Sequence, residues 1–343
     1  LNAISPAAYN NVEGLNLEPG TYISIIGKDD SSSYWTNVKK GVMQAADDLN
    51  KELGYKGSDK IKVTYNAPAK SEDIDEQVNI LDEELSRYPD AVGIASIDSA
   101  ACSVQFDLAT ANGIPIISLD SGNEYKGIQC IVKTDNEDAA RTGAYKLANE
   151  IGDEGQVILV VHDSNSETAK ERAKSFEEEI KNNYPSVSTV ETIYCDKLDD
   201  LKKKIAVEKD PNISEDLQKA AVEKMTDDEV MQYYLEKYPD LKGVFGTNES
   251  STIFALEALQ KTELAGKVAL VGFDISEEQT AAIKNGEIAG LVVQNPFGMG
   301  YASVVAAART VLQSGNEAVV DTGYIWVTKD NLEDESIQNM LYK

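Results

Sequence analysis

Along this chain short hydrophobic runs alternate with segments whose apolar residues recur every three or four positions. Six of the runs stop abruptly on polar residues: YISIIGKDD (22–30), IPIISLDSG (114–122), VILVVHDSN (157–165), GVFGTNESS (243–251), VALVGFDIS (268–276) and AGLVVQNPF (289–297). Shorter β-rich runs read IKVTY (61–65), AVGIAS (91–96), QCIVKT (129–134) and STVETI (188–193). Between them, helical spacing puts Val38, Val42, Ala45 and Leu49 on one face. It does the same for Ile74, Val78, Leu81 and Leu85, and for Ala169, Ala173, Phe176 and Ile180. From Thr21 onward this alternation predicts an α/β protein with parallel sheets covered by helices on both faces. Strands covered on both faces read as nearly continuous apolar runs.

About five βα units precede residue 134 and about five follow it, which predicts two similar doubly wound lobes. Thr134-Asp135-Asn136 marks a plausible first crossing between them. In such sheets ligands bind beyond the carboxyl ends of the strands, so Asp120, Asn248, Asp274 and Gln294 fall where a small molecule sits. All four side chains bond hydroxyl groups, and none is a nucleophile with a base beside it. The pattern points to a binder of a small polyol and away from an enzyme.

Composition narrows the field. The 343 residues are 42% hydrophobic and 27% charged, a globular composition long enough for two or three domains. A net charge of −27 without a basic stripe excludes nucleic acid as a partner. No apolar run approaches the roughly 20 residues of a membrane span. No charged n-region with an apolar h-region opens the chain, so any secretion signal is expected to have been removed. Residues 1–20 read as an extended leader or tether. The charged stretch 197–229 reads as one or two solvated amphipathic helices with Pro211 between them.

Other chemistry is thinly represented. Cys102, Cys130 and Cys195 make neither a disulfide framework nor a zinc pattern, and each reads as a small buried hydrophobe. His162, the sole histidine, ends a strand and reads as a rim contact or an ordinary loop residue. Asp163-Ser-Asn165-Ser-Glu167 imitates the start of a calcium loop but lacks its glycine and terminal glutamate. Phosphate loops are absent too, so no metal or nucleotide cofactor is expected.

The chain resembles the ribose/galactose-type periplasmic binding proteins, also called type I solute-binding proteins, from about Thr21 to Val327. Six pieces carry the likeness: Tyr34-Trp35 after the first strand, Leu119-Asp120, the segment ERAKSF (171–176), the turns VFGTNE and VGFD, and the strand end at Gln294. The resemblance implies two doubly wound lobes joined by a three-strand hinge. The first would hold 21–133 plus 295–323, the second 134–294 plus 324–343. Lac-repressor-type regulators share this core, but the helix-turn-helix pattern is missing here and the charge is wrong for DNA.

Site roles follow from the same likeness. Asp120 and Asp274 match hydroxyl-binding aspartates, although a helix cap explains each as well. Arg172 matches an arginine that donates to ring and hydroxyl oxygens, against a surface salt bridge. Asn248 and Gln294 offer a donor and an acceptor each, against a turn residue and a hinge hydrogen bond. Tyr34 and Trp35 match an aromatic pair on the sugar's apolar faces, one of them with a core role. Ser32 lies where ribose-type members often use Asn. Lys28 and Ser121 depart from the pattern. A cleft lysine suits an acidic sugar, a ketone or a furan-type signal, unless it pairs with Asp29 or Asp30. The implied function is an extracytoplasmic monomer, periplasmic or lipid-anchored at the outer face of the cell membrane, that delivers a sugar to the permease of an ABC importer. A sensory subunit for a chemoreceptor or sensor kinase is the alternative.

Overall fold

The computed structural model describes residues 6–341. Among the described residues twelve strands make two six-stranded sheets. The first contains β1 (Tyr22–Ile26), β2 (Lys62–Asn66), β3 (Ala91–Ile94), β4 (Ile116–Leu119), β5 (Ile131–Lys133) and β11 (Val319–Asp321), in the order β11-β5-β4-β3-β1-β2. The second contains β6 (Gly155–Val161), β7 (Val187–Tyr194), β8 (Leu241–Gly246), β9 (Ala269–Phe273), β10 (Gly290–Gln294) and β12 (Tyr324–Val327), in the order β12-β10-β9-β8-β6-β7. Every pairing is parallel except β10 with β12. The two orders are the same pattern used twice: each sheet's first strand lies between its second and third. Strand order reverses there, which opens a crevice at the carboxyl ends.

Helices α1 (Ser33–Leu53), α2 (Ile74–Leu85) and α3 (Ser103–Ala111) connect strands of the first sheet. The second sheet is wrapped by α4 (Asn136–Glu150), α5 (Glu167–Asn183), α6 (Leu198–Lys209), α7 (Glu215–Lys224), α8 (Asp227–Lys237), α9 (Glu249–Lys261) and α10 (Glu277–Lys284). Next come α11 (Pro296–Val311), which packs on the first sheet, and the short α12 (Glu335–Gln338). The apolar faces read from the sequence are buried in α1 and α5; in α2 only Leu81 and Leu85 are fully inside. The chain passes between the sheets three times: after β5, after β10, and between β11 and β12.

Helices α1 and α11 touch backbone to backbone. A Cβ at Gly41 would lie 2.0 Å from the Phe297 carbonyl oxygen, and one at Gly300 2.0 Å from that of Val38. Glycine is therefore required at both positions by close approach rather than by backbone angle.

Two expectations change. Residues 9–17 are not a tether: Tyr9, Val12, Leu15 and Leu17 are buried in the core, the segment ending at Tyr9 against α11. Tyr9 Oη donates to Asn316 Oδ1 (3.0 Å) and accepts from the Glu317 N–H (3.1 Å). The charged stretch 197–229 holds α6, α7 and the start of α8 rather than one or two solvated helices. Only α7 has no buried residue; α6 buries Leu198, Ile205 and Ala206. The three cysteines are unpaired, and burial pushes the thiols of Cys102 and Cys130 up to about 11. No described helix is long and apolar enough to cross a membrane.

Candidate functional site

The turns at the carboxyl ends of the two sheets repeat one another. After β1, Asp29 Oδ1 accepts from the N–H groups of Ser31 (3.1 Å) and Ser32 (2.9 Å), and Ser32 caps α1. After β6, Asp163 Oδ1 accepts from Asn165 (2.8 Å) and Ser166 (2.6 Å), and Ser166 caps α5. The calcium-like run at 163–167 is thus an Asx turn leading into a helix cap. Among the described residues no cluster of His, Cys, Asp and Glu is arranged to hold a metal.

Asp120 and Asp274 directly follow β4 and β9, with φ of 60° and 70°. Each backbone N–H donates to the neighbouring strand, Asp120 to Val132 (2.7 Å) and Asp274 to Val292 (2.8 Å). Left-handed backbone at a residue other than glycine costs about 1–3 kcal/mol and gathers at functional sites; aspartate tolerates it better than most.

Both carboxylates border one cavity of about 240 Å³ between the sheets. Lys28, Ser32, Tyr34, Trp35, Arg172, Asn248 and Gln294 border it too. Ser121 does not. The Ser121 N–H folds back to the Leu119 carbonyl (2.6 Å) around left-handed Asp120, and its hydroxyl accepts from the Thr168 N–H (3.3 Å). The tight turn sends successive side chains in different directions.

The cavity wall is one connected network. Tyr34 Oη donates to Asp120 Oδ1 at 2.7 Å. Gln294 Nε2 donates to Asp274 Oδ1 (2.7 Å), while its Oε1 accepts from Thr134 (2.7 Å) and Arg172 Nη2 (3.0 Å). Arg172 is 2% exposed, so it is no surface salt bridge. Its Nε donates to Asn136 Oδ1 (2.9 Å), its Nη1 to the Thr247 carbonyl (2.8 Å), and its guanidinium lies over the Phe273 ring at 4.4 Å. Three of its five N–H groups are therefore engaged by these protein acceptors. Asn248 Oδ1 caps α9 through the Ser251 N–H (2.9 Å), so its oxygen is engaged by the helix start. Tyr34 and Trp35 meet edge to face at 5.2 Å, both largely buried.

Lys28 pairs with Asp120 (3.4 Å) rather than with Asp29 or Asp30, and donates to Thr168 Oγ1 (3.3 Å). Against Lys28 and Arg172, the wall carries Asp29, Glu72, Asp120, Glu249 and Asp274. Carboxyls outnumber cations on this wall, which weighs against an acidic sugar. His162 borders the cavity with Nδ1 2.7 Å from Thr247 Oγ1, and burial pushes its imidazole well below its ordinary range, so it is neutral.

Sequence reasoning passed over Thr168, Glu72 and Glu249 on this wall. Burial pushes Glu249 up to about 7; Glu72, whose side chain keeps solvent contact, is raised as well, by desolvation and then by Asp163. Glu249 follows Asn248 directly, so the flagged turn was its signal; Glu72 sits in a loop without motif.

Residues 23–316 match the family model for the periplasmic binding protein domain. The chain belongs to that family. It is 25% identical to the ribose import binding protein of Haemophilus influenzae over 84% of each chain. It is also 22% identical to the xylitol-binding protein of Mycolicibacterium smegmatis, over 89% of this chain and 76% of that one. Among solved structures, a carbohydrate transporter solute-binding protein of Agrobacterium radiobacter in complex with D-arabinose aligns with a TM-score of 0.77 and 28% identity. That alignment covers 94% of this chain and 98% of the other. A solute-binding protein of Agrobacterium vitis with bound D-fucose aligns equally well, at 26% identity over 94% and 100%. The periplasmic binding protein is thus of the type I sugar-binding class, which captures solute for ABC importers without turnover.

Proposed function

We propose that this protein captures a small neutral monosaccharide or similar polyol by closing two lobes over it, outside the cytoplasmic membrane, and presents the closed complex to an importer permease. The lobes are 21–133 with 295–323 and 134–294 with 324–343, and they turn about the three passages between sheets. The carrying observation is that Asp120 and Asp274, from different sheets, border the same 240 Å³ cavity. That is space for about eight waters, a fit for one sugar ring. The excess of carboxyls over cations on the wall favours a neutral ligand.

Charge-assisted bonds from hydroxyls to both aspartates, and from Arg172 and Lys28 to ligand oxygens, contribute about 1.5–3 kcal/mol each. After ordering losses, four or five of them leave roughly −8 kcal/mol, micromolar binding. Both aspartates reach one sugar only when the lobes meet, so closure is favoured by ligand. The site is complete within one chain, which supports a working monomer. Relatives named for import favour transport over sensing. A thermal-shift screen of pentoses, hexoses, inositols and sugar acids tests the reading: a neutral sugar should raise the midpoint, and a preference for sugar acids would overturn it.

A further inference from the structure

One carboxyl on the cavity wall is not explained by grip on a sugar. Glu249, the first residue of α9, belongs to the second sheet, yet its Oε1 accepts a hydrogen bond from Ser33 Oγ on α1 at 2.8 Å. Its Oε2 is buried without a hydrogen-bond partner. Its backbone N–H donates to Asp274 Oδ2 at 3.1 Å.

The groups that face it decide its charge. Asp274, at the end of β9, and Asp29, in the turn after β1, both disfavour an anion there. Ser33 and the backbone N–H of Tyr34 favour one. The nearby cations are committed elsewhere, Lys28 to Asp120 and Arg172 to Asn136, Thr247 and Gln294. An ionised Glu249 would hold charge on an oxygen with no donor, close to two acids and shielded from water. Burial accordingly outweighs the rest and pushes the carboxyl up to about 7.

Building on the two-lobe capture reading, we propose that Glu249 is a proton-dependent latch between the lobes: closing the cleft takes up a proton at this carboxyl, so the protein holds sugar more tightly in acid than in alkali. With the lobes apart, Ser33 and Asp29 withdraw and water solvates both oxygens, returning Glu249 to its ordinary range. Below that range both forms carry the proton, and closure has no penalty. Between it and about 7, closure binds a proton, and each pH unit gained weakens closure by up to about tenfold. Above about 7 the closed form is ionised as well, and the penalty stays constant. Glu72 acts in the same direction from the first lobe: desolvation first, then Asp163 of the second lobe, raises it, and because its side chain keeps solvent contact its share is the smaller.

Small-angle scattering of the full chain from about pH 5 to about pH 9, with and without D-arabinose as probe, tests the latch. The wild-type radius of gyration should increase as pH rises; Glu249→Gln should flatten the rise, and Glu249→Gln with Glu72→Gln should abolish it. A wild type insensitive to pH both with and without D-arabinose would overturn the latch, as would a double variant that opens like the wild type. A pH response unaffected by D-arabinose would leave the latch standing and count only against that sugar.

Discussion

Asp120 and Asp274 leave two different sheets through the same left-handed backbone, each tied by its N–H to the next strand, and they border one cavity. They are also linked through side chains. Tyr34 bonds Asp120, Gln294 bonds Asp274, and Tyr34 Oη and Gln294 Oε1 lie 3.5 Å apart. Each carboxylate is held in place by a protein side chain. Preorganisation of this kind lowers the ordering cost of binding.

Asparagine also tolerates positive φ, so Asp120→Asn and Asp274→Asn should melt close to the wild type. Each loses a charged acceptor worth about 1.5–3 kcal/mol, and sugar affinity should fall roughly tenfold or more. Thermal melts paired with calorimetry check both halves. Asp120→Val should instead unfold early, because a β-branched residue fits that backbone poorly.

Arg172→Lys should not preserve function. One ammonium cannot serve Asn136, the Thr247 carbonyl and Gln294 in three directions, nor lie flat over Phe273. Urea denaturation should show a loss of about 1–3 kcal/mol as buried acceptors lose their donor, together with weaker sugar binding.

The crossing of α1 and α11 should be intolerant of any side chain. Gly41→Ala or Gly300→Ala would force two backbones apart, since each added Cβ meets a carbonyl oxygen at 2.0 Å. Overpacking of this kind costs about 1–3 kcal/mol, readable as a lowered denaturation midpoint.

Leu17→Ala tests the packed N-terminal segment. At 1% exposure, this side chain should contribute about 2–5 kcal/mol, whereas a tether residue would contribute nothing measurable in a thermal or chemical melt.

The strands and their polar ends were legible because covered parallel strands are apolar throughout and stop sharply where chemistry begins. That grammar located Asp120, Asp274 and Gln294. It misplaced Ser121, because a left-handed turn at Asp120 breaks the alternation that linear reading assumes. Glu249 and Glu72 were missed for a different reason: an acid at a helix start or in a loop ordinarily faces water, and only the tertiary structure brings these two to the cavity wall. Tyr9, Val12, Leu15 and Leu17 follow neither a helical nor a strand period, so nothing local announced their burial.

Calorimetric titration with a panel of pentoses, hexoses and inositols, run on wild type, Asp120→Asn and Asp274→Asn, reaches the heart of the account. One neutral sugar should bind the wild type with one-to-one stoichiometry at micromolar affinity and weaken at least roughly tenfold in each variant. A wild type that binds none of them, or a sugar held equally well without either carboxylate, would contradict it.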